Sequence, residues 1–257
     1  MSVTPAMNPG QRLVLSVLLL MLAALAEAGE EGATLHWARK VALGTPVSGV
    51  IAEVAVQAGD KITKGQVLLH LDDRALRAKV QGLEAEKQRA GDDLAEARRE
   101  LDRTQELYDR TLLADHDLQL AKNQLTAAEA DLATTEAALV QAQWQLEYSA
   151  VRAPFDGWVL RRNAEAGQTV VSELQAEPLL EVAAAGAMLA HARVPADELK
   201  KLKTGQAVEV TVGANRYPGH IRQVALEPEK DGRYAVDVLF ETRDLLRAGL
   251  PAKVMLP

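Results

Sequence analysis

The residues best able to ligate a metal or carry a proton at neutral pH are five histidines: His36, His70, His116, His191 and His220. They are scattered, and none stands from another at the spacing that brings two rings to one face of a helix or strand. No metal ligand set is therefore assigned. The chain has no cysteine, which excludes thiolate metal sites, thiol nucleophiles, disulfides and a lipid-bearing N-terminal cysteine. No Gly-Lys-Ser/Thr phosphate loop occurs, so nucleotide hydrolysis by that route is excluded, and no Ser or Asp stands in a catalytic context. The reading is of no catalytic, cofactor-binding or metal residues, and of a protein that is not an enzyme. A net charge of −7 argues against nucleic acid, whose phosphates call for clustered Lys and Arg.

What the sequence repeats is a set of glycine turns. "PVSGVIAEVAVQAGDKITKGQVLLHLD" ends at Asp72, and "VRAPFDGWVLRRNAEAGQTVV" begins at Val151. Pro46, Gly49 and Ala58-Gly59 of the first match Pro154, Gly157 and Ala166-Gly167 of the second at one constant offset. Gly49, Gly59, Gly157 and Gly167 are read as turn formers in positive-φ conformations. Each stretch has the short apolar alternation of strands: Val47, Val50, Val54 and Val56 in one, Trp158, Val159 and Val170 in the other. Neither is large enough to be stable alone. The two are expected to fold together as one small β-sandwich, with whatever lies between them projecting as an insertion.

The insertion reads as helix. No proline occurs between Pro46 and Pro154. Apolar or small residues recur at alternating steps of four and three: Leu76, Val80, Leu83, then Ala90, Leu94, Ala97, Leu101, Thr104 and Tyr108, with Lys87 the charged interruption. The pattern restarts at Leu118 and runs Ala121, Leu125, Ala128, Leu132, Thr135, Leu139, Ala142, Leu146. These heptads predict two helices joined near Leu113–Asp117, with Asp115 and Asp117 as N-cap candidates for the second, in an antiparallel coiled-coil hairpin. The second helix is markedly acidic, with six acids and one base, Lys122. That pattern fits a solvated face or an acidic flank facing a basic neighbour.

Beyond the second glycine stretch, "AVEVTV" alternates Val208, Val210 and Val212, and "YAVDVLF" alternates Tyr234, Val236, Val238 and Phe240. Both suit half-buried strands, punctuated by Gly205, Gly213, Gly219 and Gly232, with a short helix expected over 195–202. With aromatics at 4%, the cores must be built from Val, Leu, Ile and Ala. At the other end, Arg12 precedes an apolar run from Leu13 to Ala26. The run is shorter than the roughly 20 residues of a bilayer span and is followed by Ala26-Glu27-Ala28. It reads as a cleavable signal peptide over 1–28, or else as an uncleaved anchor.

Together these segments resemble the periplasmic adaptor subunits, or membrane fusion proteins, of HlyD and resistance-nodulation-division (RND) type export systems. In these proteins a lipoyl-like domain is split by a helical hairpin and followed by a β-barrel. "RVPADELKKLKTGQAVEV" and "DLLRAGLPAKVML" resemble the start and close of that barrel. The resemblance implies an elongated multidomain chain, mainly β plus a long hairpin. Its expected parts are a signal at 1–28, a lipoyl-like barrel-sandwich hybrid at 42–72 plus 150–182, a hairpin at 73–149 and a barrel at 183–257. The family's membrane-proximal domain is expected to be missing or vestigial.

The function implied is that of a periplasmic adaptor between an inner-membrane transporter, RND before ABC, and a TolC-like outer-membrane channel. Copies would associate in a ring, six-membered in the family, and no cofactor is expected. The family's hairpin-tip motif, Arg-x-x-x-Leu-x-x-x-x-x-x-Ser, falls on Arg103, Leu107 and Ala114, the last without the serine hydroxyl. Gln168, just after a turn glycine, is a candidate for lining the channel of such a ring. The alternatives are an adaptor of an ABC-type exporter or HlyD-like secretion system, a lipoyl or biotinyl carrier, and a structural coiled-coil protein. A carrier displays its modified lysine on the turn joining the two halves, and here the hairpin starting at Asp72-Asp73 replaces that turn.

Overall fold

The computed structural model describes residues 29–172 and 178–256. The signal-peptide reading of 1–28 lies outside them. By internal contacts the described residues form two units, one within 41–182 and the other of 29–40 with 183–256.

The first unit holds the sandwich and the hairpin. Strands β2 (Lys40–Leu43), β3 (Gly49–Val54), β4 (Lys61–Ile62) and β5 (Val67–Leu71) precede the helices. Strands β6 (Ala150–Arg152), β7 (Gly157–Arg162), β8 (Thr169–Val170) and β9 (Leu180–Ala184) follow them. The two four-stranded sheets, in orders β2-β9-β7-β4 and β6-β5-β3-β8, each mix strands from both sides of the hairpin. Neither half could form these sheets alone.

The repeat seen in the sequence is exact at the level of hydrogen bonds. Gly59 N–H donates to the Val159 carbonyl at 2.8 Å, and Gly167 N–H donates to the Ile51 carbonyl at 2.8 Å. The return bonds are Val159 N–H to Asp60 O and Ile51 N–H to Gln168 O, both 2.9 Å. The core includes Val47, Ile51, Val56, Ile62, Leu68, Leu69, Val159 and Leu180. Ile51 takes the inward place expected of Val50, which is 44% exposed. With two adjacent β-branched residues, the pleat decides which one points in.

Helix α1 (Arg74–Asp109) and helix α2 (Asp115–Tyr148) have 36 and 34 residues. Their register is antiparallel: Lys79 Nζ reaches Gln145 Oε1 at 3.2 Å, Lys87 pairs with Glu136 at 3.0 Å, and Arg98 with Glu129 at 3.6 Å. The buried helical residues are Val80, Ala90, Leu94 and Thr104 on α1, and Leu118, Ala121, Thr135, Leu139 and Ala142 on α2. All belong to the two heptad stripes. Lys87, the interruption, extends along the seam to its carboxylate partner on α2. Pairing of Glu129 and Glu136 with bases of α1 thus explains part of the acidity of α2.

The second unit is a closed antiparallel barrel, in order β1-β10-β13-β12-β11-β14. Its strands are β1 (Gly29–Trp37), β10 (Ala187–Val194), β11 (Ala207–Val212), β12 (Asn215–Pro228), β13 (Tyr234–Glu241) and β14 (Pro251–Leu256). Alternate residues fill it, among them Leu35, Ala190, Ala192, Val210, Val236, Val238, Phe240 and Val254. A barrel begun at residue 183 lacks its closing strand. That strand is β1, drawn from the residues between the expected signal and the sandwich, which the sequence reading left unassigned, and it pairs with both β10 and β14. Its alternation is Ala33, Leu35, Trp37, but "GEEG" ahead of it reads as loop. The helix expected over 195–202 is a single 3-10 turn, Glu198–Lys201, with Leu199 and Leu202 packed on the barrel core.

Candidate functional site

Two groups of residues were singled out for function, one at the hairpin tip and one in the sandwich turns. At the tip, α1 ends at Asp109 with Arg110 as C-cap, and Thr111 takes a positive φ of 60°. Thr111 N–H donates to the Tyr108 carbonyl at 2.8 Å, and Leu112 N–H reaches back to the Leu107 carbonyl at 3.0 Å. This is a Schellman closure, which usually places glycine where Thr111 stands. Leu112 emerges from it 67% exposed.

Ala114 is the N-cap of α2 and has no side-chain acceptor to offer. Asp115 and Asp117, expected as caps, lie inside the first turn instead. Asp117 accepts the Ala114 N–H at 3.3 Å through Oδ2, and both carboxylates complement the helix N-terminus. Arg103 and Leu107 lie one turn apart on α1. The guanidinium of Arg103 is mostly exposed, with Glu100 at 3.9 Å, and Leu107 is half-buried. The tip therefore presents an arginine and an apolar edge on a backbone whose end groups are tied internally. It offers a surface for contact.

The second group forms a repeated turn. Gln57-Ala58-Gly59-Asp60 and Glu165-Ala166-Gly167-Gln168 are hydrogen-bonded alike. The fourth N–H donates to the first carbonyl, and a fourth-residue side-chain oxygen accepts the first N–H, at 2.7 Å for Asp60 and 3.1 Å for Gln168. Thr63–Gln66 in the sandwich and Lys203–Gln206 in the barrel repeat the arrangement. Positive φ at the third residue, 84° to 96° across the four, makes these type II turns that favour glycine. The role of Asp60, Gln66 and Gln206 was missed in the sequence, although the tetrapeptides QAGD, TKGQ, EAGQ and KTGQ carry it. Gln168 is half-buried, with its amide oxygen engaged in its own turn.

Gly49 and Gly157 are not turn formers. They open β3 and β7, outside the set of positive-φ glycines. At Gly49 the requirement is space, because a Cβ there would stand 3.3 Å from Leu71 Cδ1.

Where the sandwich runs into α1, Asp72 accepts from Arg74 Nε at 2.9 Å and from its terminal nitrogen at 2.6 Å. This fork holds the Asp72 carboxyl at about 2, below its ordinary 3.8. Arg77 lowers Asp73 in the same way. No group of His, Asp and Glu able to hold a metal occurs among the described residues.

The family described as "CzcB-like, barrel-sandwich hybrid domain" matches residues 39–179. Among similar proteins, the macrolide export protein MacA of Escherichia coli O157:H7 is 32% identical over 209 residues, covering 75% of this chain and 56% of that protein. The pyoverdine export membrane fusion protein PvdR of Pseudomonas aeruginosa is 29% identical over 214 residues, covering 77% and 55%. The chain thus spans little more than half the length of these curated relatives. The solved membrane fusion protein Spr0693 from Streptococcus pneumoniae R6 superposes with a TM-score of 0.69 at 17% identity, over 89% of this chain and 98% of that one. The family match runs unbroken through both half-sandwiches and the hairpin between them, and the chain belongs to the membrane fusion proteins, the periplasmic adaptor family.

Proposed function

We propose that the protein is a periplasmic adaptor that links an inner-membrane efflux transporter to an outer-membrane channel and so enables export of small molecules. The observation that carries this reading is the hairpin. Two helices of 36 and 34 residues are joined on a continuous seam and end in a closed turn that presents Arg103, Leu107 and the exposed Leu112. In this reading the hairpin is an antiparallel coiled coil whose tip docks on a TolC-like channel. Copies of the chain form a ring, six-membered by analogy with the family. The transporter supplies the energy, and the adaptor catalyses nothing. An RND transporter is the proposed inner-membrane partner, with an ABC exporter as the alternative. The chain would be periplasmic after loss of residues 1–28. Among the described residues no helix is long and apolar enough to cross a membrane. In this reading the chain is held at the membrane through its partners.

The test is Leu107→Asp. A carboxylate in a docking contact carries a desolvation cost of several kcal/mol. The variant should lose efflux while remaining folded and periplasmic at parental levels. Parental efflux in that variant sinks the tip assignment. Gln168 is proposed to line the channel through its amide nitrogen, since its oxygen serves the turn. Gln168→Ala should then raise leak through reconstituted pumps without changing ring assembly, and unchanged leak returns it to a purely structural place.

A further inference from the structure

His191 stands on the outer face of the barrel, midway along β10 and directly opposite Asp237 of β13. Both of its ring nitrogens face carboxylates. Nδ1 lies 2.8 Å from Asp237 Oδ1, and Nε2 lies 3.2 Å from Glu229 Oε1. Glu229 opens the connection between β12 and β13, so this contact ties that turn down onto the wall of the barrel.

The surroundings of the ring are strongly charged. The other oxygen of Glu229 takes Arg193 Nε at 3.0 Å, and Arg193 also reaches Asp231 at 3.5 Å. From β1, His36 meets the His191 ring edge-on with centroids 5.4 Å apart, and Glu31 pairs with Arg233 at 3.7 Å. The charged and titratable groups around His191 are thus Asp237 from β13, Glu229, Asp231 and Arg233 from the turn, Arg193 from its own strand, and His36 and Glu31 from β1.

The chemistry of the ring limits what this geometry can satisfy. An ionised carboxylate only accepts hydrogen bonds. A neutral imidazole has one N–H, so it donates to one carboxylate and turns a lone pair toward the other. Only the imidazolium donates to both. Histidine is also the side chain whose ordinary charge change falls between about pH 5 and 8.

We propose that His191 is a pH-operated latch on the turn from Glu229 to Arg233. The imidazolium holds Asp237 and Glu229 together and the turn is docked. When the ring loses its proton, the bond to Asp237, the shorter and the one fixed in the strand register, is kept, and Glu229 is let go. Arg193 shares Glu229, so it is released in the same step. The outer face of the barrel then shows Arg193 without its Glu229 partner above the transition and paired with it below. The turn moves as a unit, because its own bonds, Glu229 N–H to Arg233 O at 2.7 Å and Gly232 N–H to Glu229 O at 2.9 Å, do not involve the ring.

The test is side-chain NMR on the full chain, following the ring nitrogens of His191, the carboxyl carbon of Glu229 and the Nε–H of Arg193 from pH 5 to pH 8. All three should move through one shared midpoint, with the Arg193 Nε–H signal lost to solvent exchange above it. In His191→Gln the Glu229 and Arg193 transitions should vanish. In Glu229→Gln the ring should still titrate while Arg193 stays unresponsive. His36→Gln should leave the shared transition in place. Glu229 and Arg193 signals that stay still while His191 titrates overturn the proposal, as does a transition that survives in His191→Gln. If His191→Gln fails to fold, Glu229→Gln decides: an Arg193 transition that persists there overturns the latch.

Discussion

The turns of the β domains and the turn at the hairpin tip place opposite residues at the same kind of backbone position. Among the described residues, positive φ falls on glycine in every case except Thr111. A β-branched side chain in the left-handed region costs roughly 1–2 kcal/mol, and the tip carries that cost openly. It also forgoes a cap, since Ala114 occupies the one position of α2 where a hydroxyl or carboxylate would accept a free N–H. In the sandwich, local preference and tertiary structure agree, as they do in sequences with few conflicting signals. At the tip they disagree, so the seam beneath, from Thr104 and Leu118 downward, must hold it together.

The largest effect is expected in the sandwich. Gly59→Ala combined with Gly167→Ala puts two side chains into the left-handed region at the reciprocal turns, and should cost about 2–3 kcal/mol. A denaturation midpoint equal to the parent's would show that the two turns do not hold the halves together. At the tip the sign reverses. Ala114→Ser supplies the missing acceptor and should stabilise the hairpin by about 1 kcal/mol. Thr111→Gly should add somewhat less, about 0.5 kcal/mol, because glycine also gains freedom in the unfolded chain. Helical thermal midpoints followed by circular dichroism check both; a fall in either would mean that the tip is already optimal and the contrast with the sandwich is false. The smallest effect concerns acid. The folded Asp72 carboxyl sits at about 2 against an ordinary 3.8, so its contribution is present above about pH 4 and fades as pH falls toward 2. Asp72→Asn should flatten that part of the stability profile, slightly, because the pair is in solvent. A profile identical to the parent's would remove Arg74 as the cause.

What was legible in the sequence follows from which forces leave a period. The heptads could be read residue by residue, because a helix-to-helix seam demands a fixed spacing. All nine buried helical residues lie on the stripes. The matched glycines Gly59 and Gly167 were legible because only a turn needs glycine there. Gly49 and Gly157 carry the same letter for a different reason, opening strands, and one letter does not separate the two. Val50 and Ile51 are both apolar, so alternation alone could not assign the inward side. β1 was hidden because its first four residues, Gly29 to Gly32, are Gly and Glu and carry no apolar alternation. Thr111 was invisible because a β-branched residue argues against the conformation it adopts. The family's tip motif falls on Arg103, Leu107 and Ala114, but the two cap candidates read for α2, Asp115 and Asp117, lie one and three residues past the observed cap, Ala114.

The seam between the helices has a bearing on the order in which the chain assembles. The bonds that join the half-sandwiches link residues far apart in sequence, such as Ile51 with Gln168 and Gly59 with Val159, and contacts of that kind form slowly. The helices between them pair locally and antiparallel, which is fast by comparison. As they zip, they carry the end of the first half to the start of the second, where Leu71 N–H meets the Ser149 carbonyl at 2.9 Å and Thr45 Oγ1 meets the Tyr148 carbonyl at 2.7 Å. An insertion that looks like an obstacle to folding thereby acts as a splint: it exchanges one long loop closure for a short one and shortens the time during which two unpaired β edges are open to other chains.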